Sequence, residues 1–268
     1  CIRDSIDGPI TGGNGIHFNS GVGVQNLTAS AEGAELTVGF PMTNITFGTN
    51  SASSSSLALG FRHTCGLLDN GSVKCWGIRD HGRLGNFATQ HIGDNAGEMG
   101  DALAVTNLGT GRTAKSMSAG LDPNSPHTCA VLDDGTVKCW GFNYYGQLGI
   151  GNMTNMGDTA DIMGDNLATV DLGTGRTAVD VSVGHQFSCA LLDNGDVKCW
   201  GRNQNGQLGI GNTTTMGDDA DEMGDNLAAV DLGTGRTAVA IATGYWHACA
   251  ILDNGDLKCW GDNDYGQL

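Results

Sequence analysis

Apolar residues in this chain come in short runs bounded by Gly, Asn, Asp and Ser, and no long stretch keeps a helical period. In residues 187–201, FSCALLDNGDVKCWG, alternation places Cys189, Leu191, Val197 and Cys199 on one side of two candidate strands. Ala190, Leu192 and Trp200 fall on the other side. A strand pair that is apolar on both faces must be sandwiched between neighbours. The tripeptide Asp193-Asn194-Gly195 between them reads as a hairpin turn. A three-residue loop with left-handed glycine sets Cys189 opposite Cys199, where a disulfide is within reach. A two-residue Asn-Gly turn would set Cys199 opposite Ala190 instead.

The same segment recurs at 65–77, 129–141 and 249–261, with first cysteines spaced by 64, 60 and 60 residues. Trp76 to Arg112, Trp140 to Arg176 and Trp200 to Arg236 are each 36 residues apart, and the following glycine comes 8 later. The four extra residues of one unit therefore lie between Gly120 and Cys129, in LDPNSPHT. Each unit reads as four strands. In the third they are AVDVSVG (178–184), FSCALLD (187–193) and DVKCWG (196–201), with ATVDLG (168–173) as the fourth strand of the unit before. Four-stranded sheets of about 60 residues, stacked face to face in four copies, predict an all-β fold of the β-propeller type.

The pattern G-x-x-H-T-C-A-L-L-D-N-G-x-V-K-C-W-G-x-N-x-x-G-Q-L-G resembles the regulator-of-chromosome-condensation (RCC1) repeat, and more narrowly its secreted bacterial type with paired cysteines. Residues 60–85, 120–149, 184–209 and 244–268 carry it. The resemblance implies a propeller, usually of seven blades. Family activities include nucleotide exchange on a small GTPase, chromatin binding and, in secreted relatives, inhibition of a β-lactamase. Exchange and chromatin binding are not carried over, because paired cysteines and acidic charge fit neither, and fold alone does not fix function.

The chain divides into a β segment or docking arm over 1–42, which reads as a hairpin turning at Ala31-Glu32-Gly33, and the repeats over 43–268. The last motif stops at Leu268, before a fourth strand. Residues 43–49, TNITFGT, line up with 168–174, ATVDLGT, so Asn44, Ile45, Thr46 and Phe47 form a spare strand. Three arrangements stay open: a small ring closed by this strand, a piece of a longer chain, or donation of the strand to a neighbouring subunit to build a filament.

Charge and cysteine usage narrow the setting. A formal net charge of −16 argues against nucleic acid and anionic membranes as partners. No stretch reaches the length of a membrane-spanning helix. Eight of the nine cysteines form regular pairs, Cys65–Cys75, Cys129–Cys139, Cys189–Cys199 and Cys249–Cys259, which points to an oxidising compartment, extracellular or cell surface, and the resemblance to the secreted bacterial type implies a prokaryote. Cys1 is left over, as an intermolecular bridge or a lipidated residue.

Candidate chemistry is sparse. Asp158, Asp161 and Asp165, and their counterparts Asp218, Asp221 and Asp225, are candidate Ca²⁺ ligands in Met-Gly-Asp loops, set against a reading as turn caps. His63, His127 and His247 share one motif position with Phe187, which argues for packing. Ser188 and Thr64 have no base fixed beside them by spacing. Asn26, Asn44, Asn70, Asn152 and Asn212 sit in glycosylation sequons. Tyr144, Tyr145, Tyr245, Trp246 and Tyr265 are set to line a glycan or peptide surface or to pack at blade edges. These features favour a non-enzymatic surface or extracellular building block that associates with itself or another surface protein. The alternative is a binding module, an inhibitor or adhesin, that uses the inter-blade loops.

Overall fold

The computed structural model describes residues 54–124 and 126–268. They form four three-stranded antiparallel sheets in chain order. The first comprises β1 (Ser54–Leu59), β2 (His63–Leu68) and β3 (Val73–Gly77), and the second β4 (Ala114–Ala119), β5 (His127–Leu132) and β6 (Val137–Gly141). The third comprises β7 (Ala178–Val183), β8 (Phe187–Leu192) and β9 (Val197–Gly201), and the fourth β10 (Ala238–Thr243), β11 (His247–Leu252) and β12 (Leu257–Gly261). The described residues contain no α-helix, only short 3₁₀ turns. The boundary expected at 42/43, Cys1 and the spare strand Asn44–Phe47 lie outside the described residues.

One local device sets the register of every sheet. Gly195 closes the β8–β9 hairpin at φ +80°, a conformation that side chains resist. A Cβ there would also stand 2.5 Å from Cβ of Thr237, which leads into the next sheet. Leu192 N–H donates to the Asp196 carbonyl, which gives the three-residue loop. Cys189 then faces Cys199 and Ala190 faces Lys198. The four cysteine pairs are opposed in the same way, with Cα atoms 4.0–4.1 Å apart and sulfurs at bonding distance.

Sequence alternation across β8 and β9 becomes two packed faces. The cysteine face of each sheet meets the Ala and Trp face of the next. Cys65, Leu67, Val73 and Cys75 pack with Ala130, Leu132 and Trp140. Cys129, Val131, Val137 and Cys139 pack with Ala190, Leu192 and Trp200. Three Trp indoles also donate to a backbone carbonyl that follows the sheet before: Trp140 to Arg83, Trp200 to Gln147 and Trp260 to Gln207, all at 3.0 Å. The corresponding face of the fourth sheet meets no further sheet among the described residues. Leu257 is 67% exposed, where its counterpart Val197 is fully buried.

The fourth strand differs from expectation. Residues 168–173 touch β6 through a single bond, Val170 N–H to the Val137 carbonyl at 2.8 Å, and Val230 repeats it on Val197. Two side-chain contacts flank this bond. Lys138 Nζ reaches across to the Gly164 carbonyl at 2.6 Å, and Asp171 Oδ1 accepts Gly173 N–H at 2.9 Å. Gly141 exchanges backbone bonds with Met156 at the other end of β6. The long connecting loop thus covers the outer edge of the sheet, an edge that would otherwise be free to pair with other chains.

Candidate functional site

In an up-down-up sheet, the connection from first to second strand and the turn leaving the third strand lie at one end, opposite the hairpins. At this rim each connection offers a slot of two residues after its glycine: Phe61-Arg62, His185-Gln186 and Tyr245-Trp246. In the second sheet the insertion lengthens the slot, and it supplies Asp122.

Asp122 ties three sheets together. Its buried carboxylate accepts from His185 Nε2 at 3.0 Å, Gln186 Nε2 at 3.0 Å and Asn124 N–H at 2.8 Å. The other ring nitrogen, His185 Nδ1, accepts the Trp246 indole N–H at 2.8 Å. Tryptophan can only donate, so this bond needs a bare Nδ1 and puts the ring proton on Nε2. The result is a relay from sheet two through sheet three to sheet four, built on the one insertion in the repeat.

Aromatic contacts extend from it in both directions. The Tyr245 ring stacks on His185 with centroids 4.0 Å apart, and Trp246 meets it edge-on at 4.9 Å. The Arg202 guanidinium lies over Trp246 at 5.7 Å and over Tyr145 at 5.1 Å. Tyr145 meets Tyr144 at 5.0 Å, and Phe142 contacts both Tyr144 and His81 of the first sheet. The belt therefore runs across all four sheets. Tyr144 is 60% exposed and Tyr245 47%. Burial and the nearby Asp122 push the Tyr245 phenol up, with Arg202 opposing, so it presents a neutral hydroxyl.

A second set of polar groups lies sealed between the sheets. His63 Nε2 pairs with Thr128 Oγ1 at 3.0 Å, and His127 Nε2 with Ser188 Oγ at 2.8 Å. At the next interface Phe187 and Ala248 stand in the same two places, so both partners have become apolar together. Ser188 is fully buried and bonded to the Gln147 carbonyl at 3.0 Å, which leaves the His127–Ser188 pair no route to a substrate. Burial drives both histidines down to about 3, so they stay neutral.

The remaining candidates separate. Asp165 accepts from Thr110 N–H and Oγ1 at 2.8 and 2.6 Å, and Asp225 does the same to Thr174 at 2.9 and 2.6 Å. These bonds hold both carboxyls below the usual range and link successive sheets. Glu222 caps Gly217 N–H and Asp219 N–H, and burial raises Asp218 beside it. Among the described residues no three His, Cys, Asp or Glu side chains gather as metal ligands, and Asp158, Asp161 and Asp221 join no such group. Asn70, Asn152 and Asn212 each fold their side chain onto a backbone N–H two residues on. Asn26 and Asn44 lie outside the described residues. Tyr265 is exposed and joins no aromatic contact among the described residues. Sequence reasoning missed Asp122, His185, Gln186 and Arg202. The signal for them was the insertion together with the unusual residues in the two-residue slots.

Compared with known proteins, residues 55–83, 126–147, 178–207 and 238–267 match the model of the regulator of chromosome condensation (RCC1) repeat. These four stretches are similar to RCC1 repeats. The chain is 28% identical over 211 residues to the E3 ubiquitin-protein ligase HERC2 of Homo sapiens, covering 79% of this chain and 4% of that one. It is 29% identical over 217 residues to the ultraviolet-B receptor UVR8 of Arabidopsis thaliana, covering 79% and 42%. The chain thus spans less than half the length of either relative. Human WBSCR16 superposes with a TM-score of 0.60 at 21% identity, over 80% of this chain and 50% of that one. Yeast RCC1 (Prp20), in its crystal structure with Kap60, gives 0.56 at 21% identity, over 79% and 44%. At these identities the solved structures establish the β-propeller fold.

Proposed function

We propose that this RCC1-repeat chain is a non-enzymatic binding module that works outside the cell and holds a protein partner at its rim. RCC1-type propellers commonly bind proteins, which is the general basis of the reading. The observation that carries it here is the belt from Tyr144 through Arg202 to Tyr245. Exposed aromatics and a central arginine, anchored by a buried relay, are the composition of protein-binding hot spots. The extracellular setting is supported by the four opposed cysteine pairs, which we take to be oxidised in the mature protein.

The test is a panel of secreted proteins and surface glycans, measured by surface plasmon resonance against wild type and the Tyr144→Ala/Tyr245→Ala variant. A protein held by wild type and lost from the rim variant supports the reading. Binding confined to glycans, or indifferent to the rim, overturns it. A structural role, with copies joined into a filament, is the second reading, and the exposed apolar side chain of Leu257 favours it. Light scattering on wild type and Leu257→Asp separates the two, since a filament should shorten in the variant.

A further inference from the structure

Cations in this chain are divided by position. At the hairpin end, Arg112, Arg176 and Arg236 lie within 3.4–3.6 Å of Asp133, Asp193 and Asp253. In the third strands, Lys138 and Lys198 give their ammonium groups to loop carbonyls. Arg202, like Arg62, Arg79 and Arg83, has no ion pair among the described residues, although the whole chain carries −16. It is set apart by its place in the aromatic belt.

Its surroundings hold it ready. Tyr145 and Trp246 take its two flanks, and the Oε1 atoms of Gln186 and Gln204 accept from Nη1, Nε and Nη2. Those acceptors are neutral, so the charge is steered without being cancelled. Of the five guanidinium N–H groups, three are engaged and two have no acceptor among the described residues. A planar cation fixed between rings, with two N–H groups spare, matches the two oxygens of a carboxylate. The flanking aromatic surface lowers the local dielectric and strengthens such a pair. Asp122, the nearest strongly held acid of the relay, already accepts from three donors and is 2% exposed.

We infer that Arg202 is the anchor for an acidic peptide segment of a protein partner, its carboxylate on the guanidinium and an adjacent aromatic or proline ring on Tyr144 or Tyr245. This deepens the protein-binding reading and rests on it. The experiment uses an array of short fluorescent peptides that pair glutamate with tyrosine or proline, with glutamine-for-glutamate copies and heparin oligosaccharides as controls. Anisotropy should show saturable binding of the glutamate peptides, weakened by raised salt. Arg202→Gln should weaken it about tenfold or more, and Arg202→Lys, which keeps the charge and loses the fork, should fall between. Unchanged circular dichroism and size show that the variants are folded. Equal binding of the glutamine copies, indifference to Arg202→Gln, or binding of heparin alone overturns the proposal. A chain that holds a protein at its rim yet ignores every glutamate peptide refutes this anchor alone. Loss of partner binding only in hairpin-end variants refutes the broader reading as well.

Discussion

The natural exchange of a polar pair for an apolar one between the sheets can be repeated by design. Ser188→Ala leaves His127 Nε2 buried without its partner, at a cost of about 1–3 kcal/mol. His127→Phe removes the same bond, but Ser188 keeps its bond to the Gln147 carbonyl, so about 1 kcal/mol is expected. The double variant recreates the Phe187–Ala248 contact of the next interface and should lie near wild type. The two changes should therefore couple by about 2–4 kcal/mol, well beyond the few tenths seen for independent sites. Urea unfolding of the four proteins, followed by tryptophan fluorescence, measures the cycle. If the double variant loses the sum of the single losses, the pair is not the unit of packing and the reasoning fails.

Two further outcomes are expected. His63 and His127 titrate at about 3 when folded and near 6.5 when unfolded, so the unfolded chain holds more protons between those values. Stability should be undiminished above pH 6.5 and fall on acidification towards pH 3, by about 1.4 kcal/mol per histidine per pH unit; the His127→Phe/Ser188→Ala variant should show a shallower fall, and an equal slope would refute the assignment. Lys138→Met should strand the Leu108 and Gly164 carbonyls, lower stability by about 1–3 kcal/mol and open residues 156–167 to protease first, with cleavage sites read by mass spectrometry; unchanged cleavage would show that the lysine does not hold the loop.

Much of the architecture was legible because period-two alternation and the hairpin turn leave little freedom. Ala190 and Cys189 had to point to opposite faces, and the loop at Gly195 set which residue each would meet. The histidine position was legible as packing, since Phe187 fills it in one copy. The fourth strand was misread because Val170 and Leu172 alternate as a strand would. Sequence alternation does not reveal that this segment meets β6 through one backbone bond and is otherwise held by side-chain contacts such as those of Lys138 and Asp171. The rim was hardest to read. Asp122, His185 and Trp246 meet across 61 to 63 residues in each step, and only the stacking order of the sheets brings them together. Their positions vary between copies, so the repeat that revealed the core was silent about them.

The two-residue slots behind each connecting glycine also bear on how such a chain can change. Phe61 and Tyr245 project at the rim, while the hydrophobic contacts that join one sheet to the next lie below them. An exposed slot residue such as Phe61 can therefore be replaced without disturbing the stack, whereas His185, Gln186 and Trp246 join the sheets through the Asp122 relay. The array resembles a row of sockets on a fixed frame. New specificities can be tried one socket at a time, by evolution or by grafting, with the frame left as it is.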